Sequence, residues 1–341
     1  LNRAYNASKY CFHAVKTGTR TAAGNAISSK SCIIYHKNRS IFAIYDSLMQ
    51  NASLFAGMHA HRAAFYAVCA ACIDREPRLL YNLCMKKYTI AAAGAIALSA
   101  AALIIIYALP VTFSADETTD ALARDSAVRG ALTVAMVALA ALCCGKELFA
   151  VRRGHICADI AWCLPCLAVA LANFPYSALI TGGARIDRPE LIWLFLIKCL
   201  TISASEELLF RGIALQLLCD VFRDKPHRFI LTVAASSAAF GLFHLFNLAE
   251  GAALPATLLQ VGYTFLTGMM FAAVTLKTGN IWGAMALHFI FDVGGLIVTD
   301  LGSGTFQDTL FWVLTAVCAA GCAVHLIVYA LRRDRAESKR K

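Results

Sequence analysis

The chain has 341 residues, of which 59% are apolar and only 15% are charged, and its mean hydropathy is +0.63. A soluble domain has about 45–50% apolar and about 25% charged residues, so this composition argues against a soluble enzyme and against a disordered chain. The formal net charge is +10, but no run of Lys and Arg alternates with aromatic residues as a nucleic-acid groove requires. The length allows about eight membrane spans of ~20 residues, which predicts an all-α, polytopic membrane protein.

Residues 1–84 differ in character from the rest of the chain. They carry 10 Lys and Arg against 3 Asp and Glu, and they contain no sustained apolar run. Met85 then begins the sequence MKKYTIAAAGAIALSAAALIIIYALP, and two lysines before a long apolar segment are typical of the start of a membrane protein. We therefore interpret 85–341 as the membrane domain. We expect 1–84 to be a poorly ordered basic extension or not natural coding sequence, and the alternative is a genuine cytoplasmic extension.

Eight apolar windows follow in chain order. They lie at about 88–110, 127–147, 157–181, 190–219, 228–248, 254–276, 280–300 and 309–331. Lys and Arg concentrate before the first window and after each even-numbered one, whereas the other loops are acidic or nearly neutral. By the positive-inside rule this predicts a multi-pass protein with both termini in the cytoplasm, and we expect it in a bacterial plasma membrane.

Ionisable residues inside these windows are candidates for function, because a charge within a membrane is costly. The fourth window contains SASEELLFRG, the fifth contains FGLFH and the seventh contains HFIFD. Residues four apart share a helix face, and three such pairs occur. The pairs are Glu207 with Arg211, Phe240 with His244, and His288 with Asp292. Glu206 is rotated by about 100° from Glu207, which leaves it free to face a different neighbour.

A carboxylate near two histidines is suited to the activation of water. Glutamate can take a proton from water, and hydrogen-bond donors can stabilise the oxyanion that forms when the water attacks a peptide carbonyl. The alternative is a divalent metal such as zinc, held by the histidines and a carboxylate. The expected chemistry is therefore hydrolysis, with or without a metal.

The three motifs also carry a resemblance to a known family. EExxxR, FxxxH and HxxxD, in this order in late membrane windows, resemble the motifs of the CPBP intramembrane proteases. This family comprises CAAX prenyl endopeptidases and the bacteriocin-processing or bacteriocin-immunity proteins, also called the Abi family. The resemblance covers about 190–300. It implies eight transmembrane helices and a membrane-associated or lipidated peptide as the substrate.

The resemblance also implies a role for each matching residue. Glu206 corresponds to the general base, His244 to its partner in holding the water, and His288 with Asp292 to the oxyanion-stabilising pair. The implied supporting residues are Glu207, Arg211 and Phe240. CAAX endopeptidases often have Asn where this chain has Asp292, and an ionised Asp cannot donate to an oxyanion. That departure favours a role in orienting His288 or in binding a metal.

A non-enzymatic membrane protein of the same fold, active in bacteriocin immunity or as a scaffold, is the competing interpretation. A transporter with a protonatable site is the third. Every motif position carries a group capable of chemistry, which favours the enzyme. The expected partners are a membrane-associated peptide or protein substrate and the lipid bilayer, without nucleic acid.

Overall fold

The computed structural model of the chain describes residues 77–108, 111–151, 153–249 and 251–338. The chain divides into two units, residues 1–84 and residues 85–341. Apart from residues 77–84, the first unit lies outside the described residues. The expectation that it is poorly ordered or not natural coding sequence therefore stays a prediction.

Helices make up nearly all of the regular structure. They are α1 (Pro77–Ala108), α2 (Glu117–Cys144), α3 (Ile156–Ala172), α4 (Tyr176–Thr181), α5 (Ile192–Glu207), α6 (Leu215–Val221), α7 (Arg228–Phe243), α8 (Leu254–Thr278), α9 (Trp282–Leu301) and α10 (Thr309–Ser338). A π-helical segment, Leu208–Ala214, joins α5 to α6, and a 3-10 segment, His244–Leu248, continues α7. Two three-residue strands, β1 (Ala184–Ile186) and β2 (Gly302–Gly304), pair in antiparallel register.

Seven helical segments within the described residues are long and apolar enough to cross a membrane. They are Lys87–Ile106, Glu117–Cys144, Ile156–Thr181, Arg228–Leu248, Leu254–Thr278, Trp282–Leu301 and Thr309–Ala336. The prediction of an all-α, polytopic membrane protein is thus confirmed. The predicted window 190–219 is not among the seven, although it is helical. Its α-helix α5 has only 16 residues, and the window contains five charged residues, namely Glu190, Lys198, Glu206, Glu207 and Arg211.

Several helix boundaries differ from the sequence-based expectation. Helix α1 begins at Pro77, eleven residues before its predicted window, and α10 ends at Ser338, seven residues after its predicted window. Helix α2 begins ten residues early, because Asp116 caps it by accepting a hydrogen bond of 2.9 Å from the backbone N–H of Thr119. Asp125, expected in a loop, therefore lies inside a helix. The third window is interrupted between α3 and α4, where Pro175 lacks the N–H that would continue the helical hydrogen bonding.

Helices α7 and α8 approach each other closely beside the candidate site. A Cβ atom on Gly241 of α7 would lie 2.9 Å from the carbonyl oxygen of Val261 in α8. A Cβ on Gly268 of α8 would lie 3.2 Å from the Cα of Ser237 in α7. A Cβ atom at Gly241 would clash with that carbonyl oxygen, and one at Gly268 would force a small shift of its neighbour, so the two glycines allow α7 and α8 to approach this closely.

Candidate active site

The three motifs meet in the interior of the bundle. Glu206 and Glu207 end α5, His244 follows α7 at the start of the 3-10 segment, and His288 lies in the middle of α9. The π-helical segment begins directly after Glu207 and contains Arg211. Single π-helical turns are frequent at functional sites, and this one was not predicted from the sequence.

Glu207 is the central hydrogen-bond acceptor of the site. Its side chain and that of Arg211 are both 0% exposed, and Nη1 of Arg211 donates to Oε1 of Glu207 over 3.0 Å. The same Oε1 lies 2.9 Å from Nδ1 of His288. Because a carboxylate paired with Arg can only accept, the imidazole donates from Nδ1, and its Nε2 faces away from Glu207. The sequence indicated the pair with Arg211 but not the contact with His288.

Arg211 is enclosed by aromatic rings. Its Cζ atom lies 4.2 Å from the ring centroid of Phe240 and 5.3 Å from that of Phe271. Its Nη2 also donates to the carbonyl oxygen of Gly268 over 3.3 Å. An ion pair, a backbone acceptor and cation–π contacts together offset part of the cost of removing this guanidinium from water, while its Nε atom is buried without a hydrogen-bond partner among the described residues.

Two further carboxylates lie on the opposite side of the His288 ring. Oε2 of Glu206 is 3.9 Å from Nε2, and Oδ2 of Asp292 is 3.5 Å from it. The expected partner that fixes the imidazole was Asp292, but the hydrogen bond at Nδ1 belongs to Glu207. Asp292 lies instead beside the nitrogen that remains available, because a residue four positions along α9 reaches the near edge of the ring.

His244 is held in a similar way by a backbone group. Its Nδ1 lies 3.0 Å from the carbonyl oxygen of Phe240, and since a carbonyl only accepts, Nδ1 carries the proton and Nε2 is left for another partner. The Phe240 ring meets both imidazoles edge to face, at centroid distances of 5.0 Å to His244 and 5.7 Å to His288. The Phe240 ring therefore packs against both histidines.

The motif residues open onto a cavity of about 830 Å³. Glu206, His244, His288 and Asp292 line it, whereas Glu207 and Arg211 do not. Most of the other lining side chains are apolar. The six ionisable motif residues are thus divided into four that face the cavity and a buried ion pair behind them.

Charged residues outside the motifs also line this cavity. Asp125 accepts from Nε of Arg129 over 2.6 Å and lies 3.4 Å from Nζ of Lys198, which lies 2.9 Å from Oδ2 of Asp300. Asp125, Arg129 and Lys198 line the cavity. The sequence offers one signal for this network, the spacing of four residues between Asp125 and Arg129, but its apolar windows place Asp125 in a loop.

The arrangement of His, Cys, Asp and Glu side chains bears on the metal alternative. Among the residues that the structure describes, no group of three or more His, Cys, Asp or Glu side chains is arranged to hold a metal ion. The side chains therefore do not fit the zinc alternative, and no step proposed below passes through a metal.

Part of the chain matches a known protein family. Residues 188–294 match the family model described as type II CAAX prenyl endopeptidase Rce1-like. No curated protein and no solved structure matches the chain significantly. The matched segment contains Glu206, His244, His288 and Asp292. The resemblance to the CPBP family of membrane endopeptidases is thus confirmed over residues 188–294, the segment that contains all three motifs.

Proposed function

We propose that this chain is an intramembrane endopeptidase that hydrolyses a peptide bond with water activated by Glu206. One observation carries the proposal. The Glu206 carboxylate and the imidazoles of His244 and His288 line one cavity, within the segment that matches an endopeptidase family. Asp292 completes the proposed set of catalytic residues.

Glu206 acts as the general base in this proposal. Its side chain is 14% exposed and lines the cavity, and the buried cation Arg211 is paired with Glu207. Glu206 takes a proton from water, the hydroxide attacks the peptide carbonyl carbon, and the protonated Glu206 returns the proton to the leaving amine. His244 holds the same water through Nε2, since its Nδ1 donates to a backbone carbonyl.

His288 stabilises the oxyanion of the tetrahedral intermediate. Glu207, paired with Arg211, accepts from Nδ1 and so directs Nε2 toward the cavity, between Glu206 and Asp292. A protonated Nε2 donates to the oxyanion, and donors of this kind contribute about 10²–10³ in rate. Asp292 stabilises the imidazolium form by its charge, where Asn in CAAX endopeptidases would donate directly.

The substrate class follows from the cavity walls and from the family. A largely apolar cavity of about 830 Å³ accommodates an apolar segment together with a few peptide groups. We propose a membrane-associated or lipidated peptide as the substrate. A bacterial plasma membrane with both termini in the cytoplasm remains the expected setting.

The test uses purified full-length protein in lipid nanodiscs and a mixture of lipidated and unlipidated peptides, with cleavage followed by mass spectrometry. Glu206→Gln should lower the cleavage rate by about 10²–10⁴, the contribution of a general base. Glu147→Gln is the matched control, because Glu147 is exposed and lies outside the cavity. Full activity in Glu206→Gln contradicts the mechanism. If the unmodified protein cleaves no peptide, and it binds the peptides as well as Glu206→Gln does, the result favours the non-enzymatic scaffold.

A further inference from the structure

A pair of side-chain amides faces the cavity close to His244. Asn247 and Gln260 both line it, and Nδ2 of Asn247 donates to Oε1 of Gln260 over 2.8 Å. Neither residue belongs to the three motifs, and the proposed mechanism uses neither. The pair therefore needs an explanation of its own in a cavity whose walls are mostly apolar.

The backbone holds the pair in a fixed position relative to the catalytic groups. His244–Leu248 is a 3-10 segment with three residues per turn, so Asn247 lies on the same face as His244, one turn further on. Its carbonyl oxygen accepts from the backbone N–H of Ala252 over 3.0 Å, which closes the following turn. The carbonyl oxygen of Gln260 accepts from Oγ1 of Thr264 over 2.7 Å. The close approach of α7 and α8 described above lies beside Gln260.

The hydrogen bond between the two amides leaves a defined pattern for a third group. Each primary amide has one oxygen and one NH₂ group, and the bond joins the NH₂ of one to the oxygen of the other. Whichever way the amides are turned, one amide oxygen and one NH₂ group remain to bind another molecule. An acceptor beside a donor is complementary to the N–H and C=O groups of a peptide backbone.

We propose that Asn247 and Gln260 form a subsite that hydrogen-bonds the backbone of one substrate residue next to the scissile bond, on the His244 side. A peptide that enters an apolar cavity must pair its N–H and C=O groups, because an unpaired buried amide is costly. This inference rests on the proposed endopeptidase function. It makes the amide pair a determinant of which bond lies over Glu206.

The experiment combines variants of the subsite with a series of substrates that each carry one backbone N-methyl group. With the unmodified protein, the peptide methylated at one particular position should have a kcat/KM roughly 10-fold lower than the peptides methylated at neighbouring positions. This is the loss expected for one hydrogen bond. Gln260→Met and Asn247→Leu should lower kcat/KM on the parent peptide by a similar factor, mainly through KM, and should be insensitive to methylation at that position. Gln216→Met in α6, outside the cavity, is the matched control.

Two results separate the failure of this subsite from the failure of the proposed function. Suppose that the protein cleaves peptides. The subsite is refuted, and the endopeptidase stands, if N-methylation at the sensitive position still lowers kcat/KM in Gln260→Met, or if this variant is slower on all peptides alike. If no peptide is cleaved, binding to Glu206→Gln decides the subsite. The subsite is supported if Glu206→Gln binds one N-methyl peptide more weakly than the parent peptide and the double variant Glu206→Gln/Gln260→Met does not. The subsite is overturned if both variants lose the same affinity for that peptide.

Discussion

Replacing Glu207 with Gln tests the charge balance on which the site depends. Glu207 is 0% exposed, and its Oε1 atom is within 3.0 Å of Nη1 of Arg211 and 2.9 Å of Nδ1 of His288. Gln has the same shape but no charge, so the substitution leaves the guanidinium of Arg211 buried without its counter-ion. Removing one partner of a buried ion pair costs about 3–5 kcal/mol, and we expect the free energy of unfolding to fall by this amount.

A second substitution separates stability from activity. Glu207→Gln with Arg211→Met removes both charges, and buried ion pairs replaced by apolar groups of similar volume are often neutral in stability. The double variant should therefore return to within about 1 kcal/mol of the unmodified protein. Its peptidase activity should stay low, because Nδ1 of His288 no longer faces a negatively charged carboxylate that both orients the ring and stabilises the imidazolium form used in the proposed mechanism.

The assay is reversible unfolding by sodium dodecyl sulfate in mixed micelles, with peptide cleavage measured on the same preparations. Glu147→Gln is again the control and should change stability by less than about 0.5 kcal/mol. The reasoning fails if Glu207→Gln costs less than about 1 kcal/mol, since a buried guanidinium would then need no counter-ion. It also fails if the double variant is active, because the carboxylate would then have no part in orienting the imidazole.

Three further predictions concern other parts of the chain. Asp292→Ala should lower cleavage by roughly 10²–10³, whereas Asp292→Asn should retain substantial activity by direct donation to the oxyanion; an inactive but folded Asn variant contradicts the role proposed. Lys198→Met leaves the buried carboxylate of Asp125 and the partly buried carboxylate of Asp300 without their shared cation, and should lower the detergent concentration at the unfolding midpoint more than the same change at the exposed Lys225 does. Hydrogen bonds from Arg188 hold the pKa of Asp116 well below its usual value. Asp116→Asn should therefore lower Tm at pH 7, and the difference should be lost only as pH falls below about 4, the ordinary range of the carboxyl.

The sequence could predict the contacts that depend on one helix. The pair of Glu207 with Arg211 follows from a spacing of four residues and is present at 3.0 Å. The bond between Glu207 and His288 joins residues 81 positions apart, so it depends on how α5 packs against α9. No periodicity within either helix contains that information. For the same reason the sequence assigned the orientation of the imidazole to Asp292, its neighbour in the helix.

The fold was predictable to a similar extent. Runs of apolar residues indicated the membrane helices, because length and hydropathy are local properties. The acidic start of α2 was assigned to a loop, although carboxylates in a first helical turn are favoured by the helix dipole. The π-helical segment was not predicted, since nothing in LLFRGIA distinguishes it from an α-helix.

The positions of Glu206 and His288 relative to each other depend on more than the motifs. Polar contacts join helices α5 and α9 at two levels: Glu207 and Glu206 contact His288 at one level, and Lys198 contacts Asp300 at the other. Lys198 and Glu207 are nine residues apart on α5, and their partners Asp300 and His288 are twelve residues apart on α9. The partners occur in opposite order along the two helices, so the helices are antiparallel. The two contacts therefore lie about 13–18 Å apart along the helix axes. A slip of either helix by one turn would break both contacts and leave charges unpaired in the bundle. The contact between Lys198 and Asp300 therefore helps to fix the helix register that places the Glu206 carboxylate 3.9 Å from the imidazole of His288.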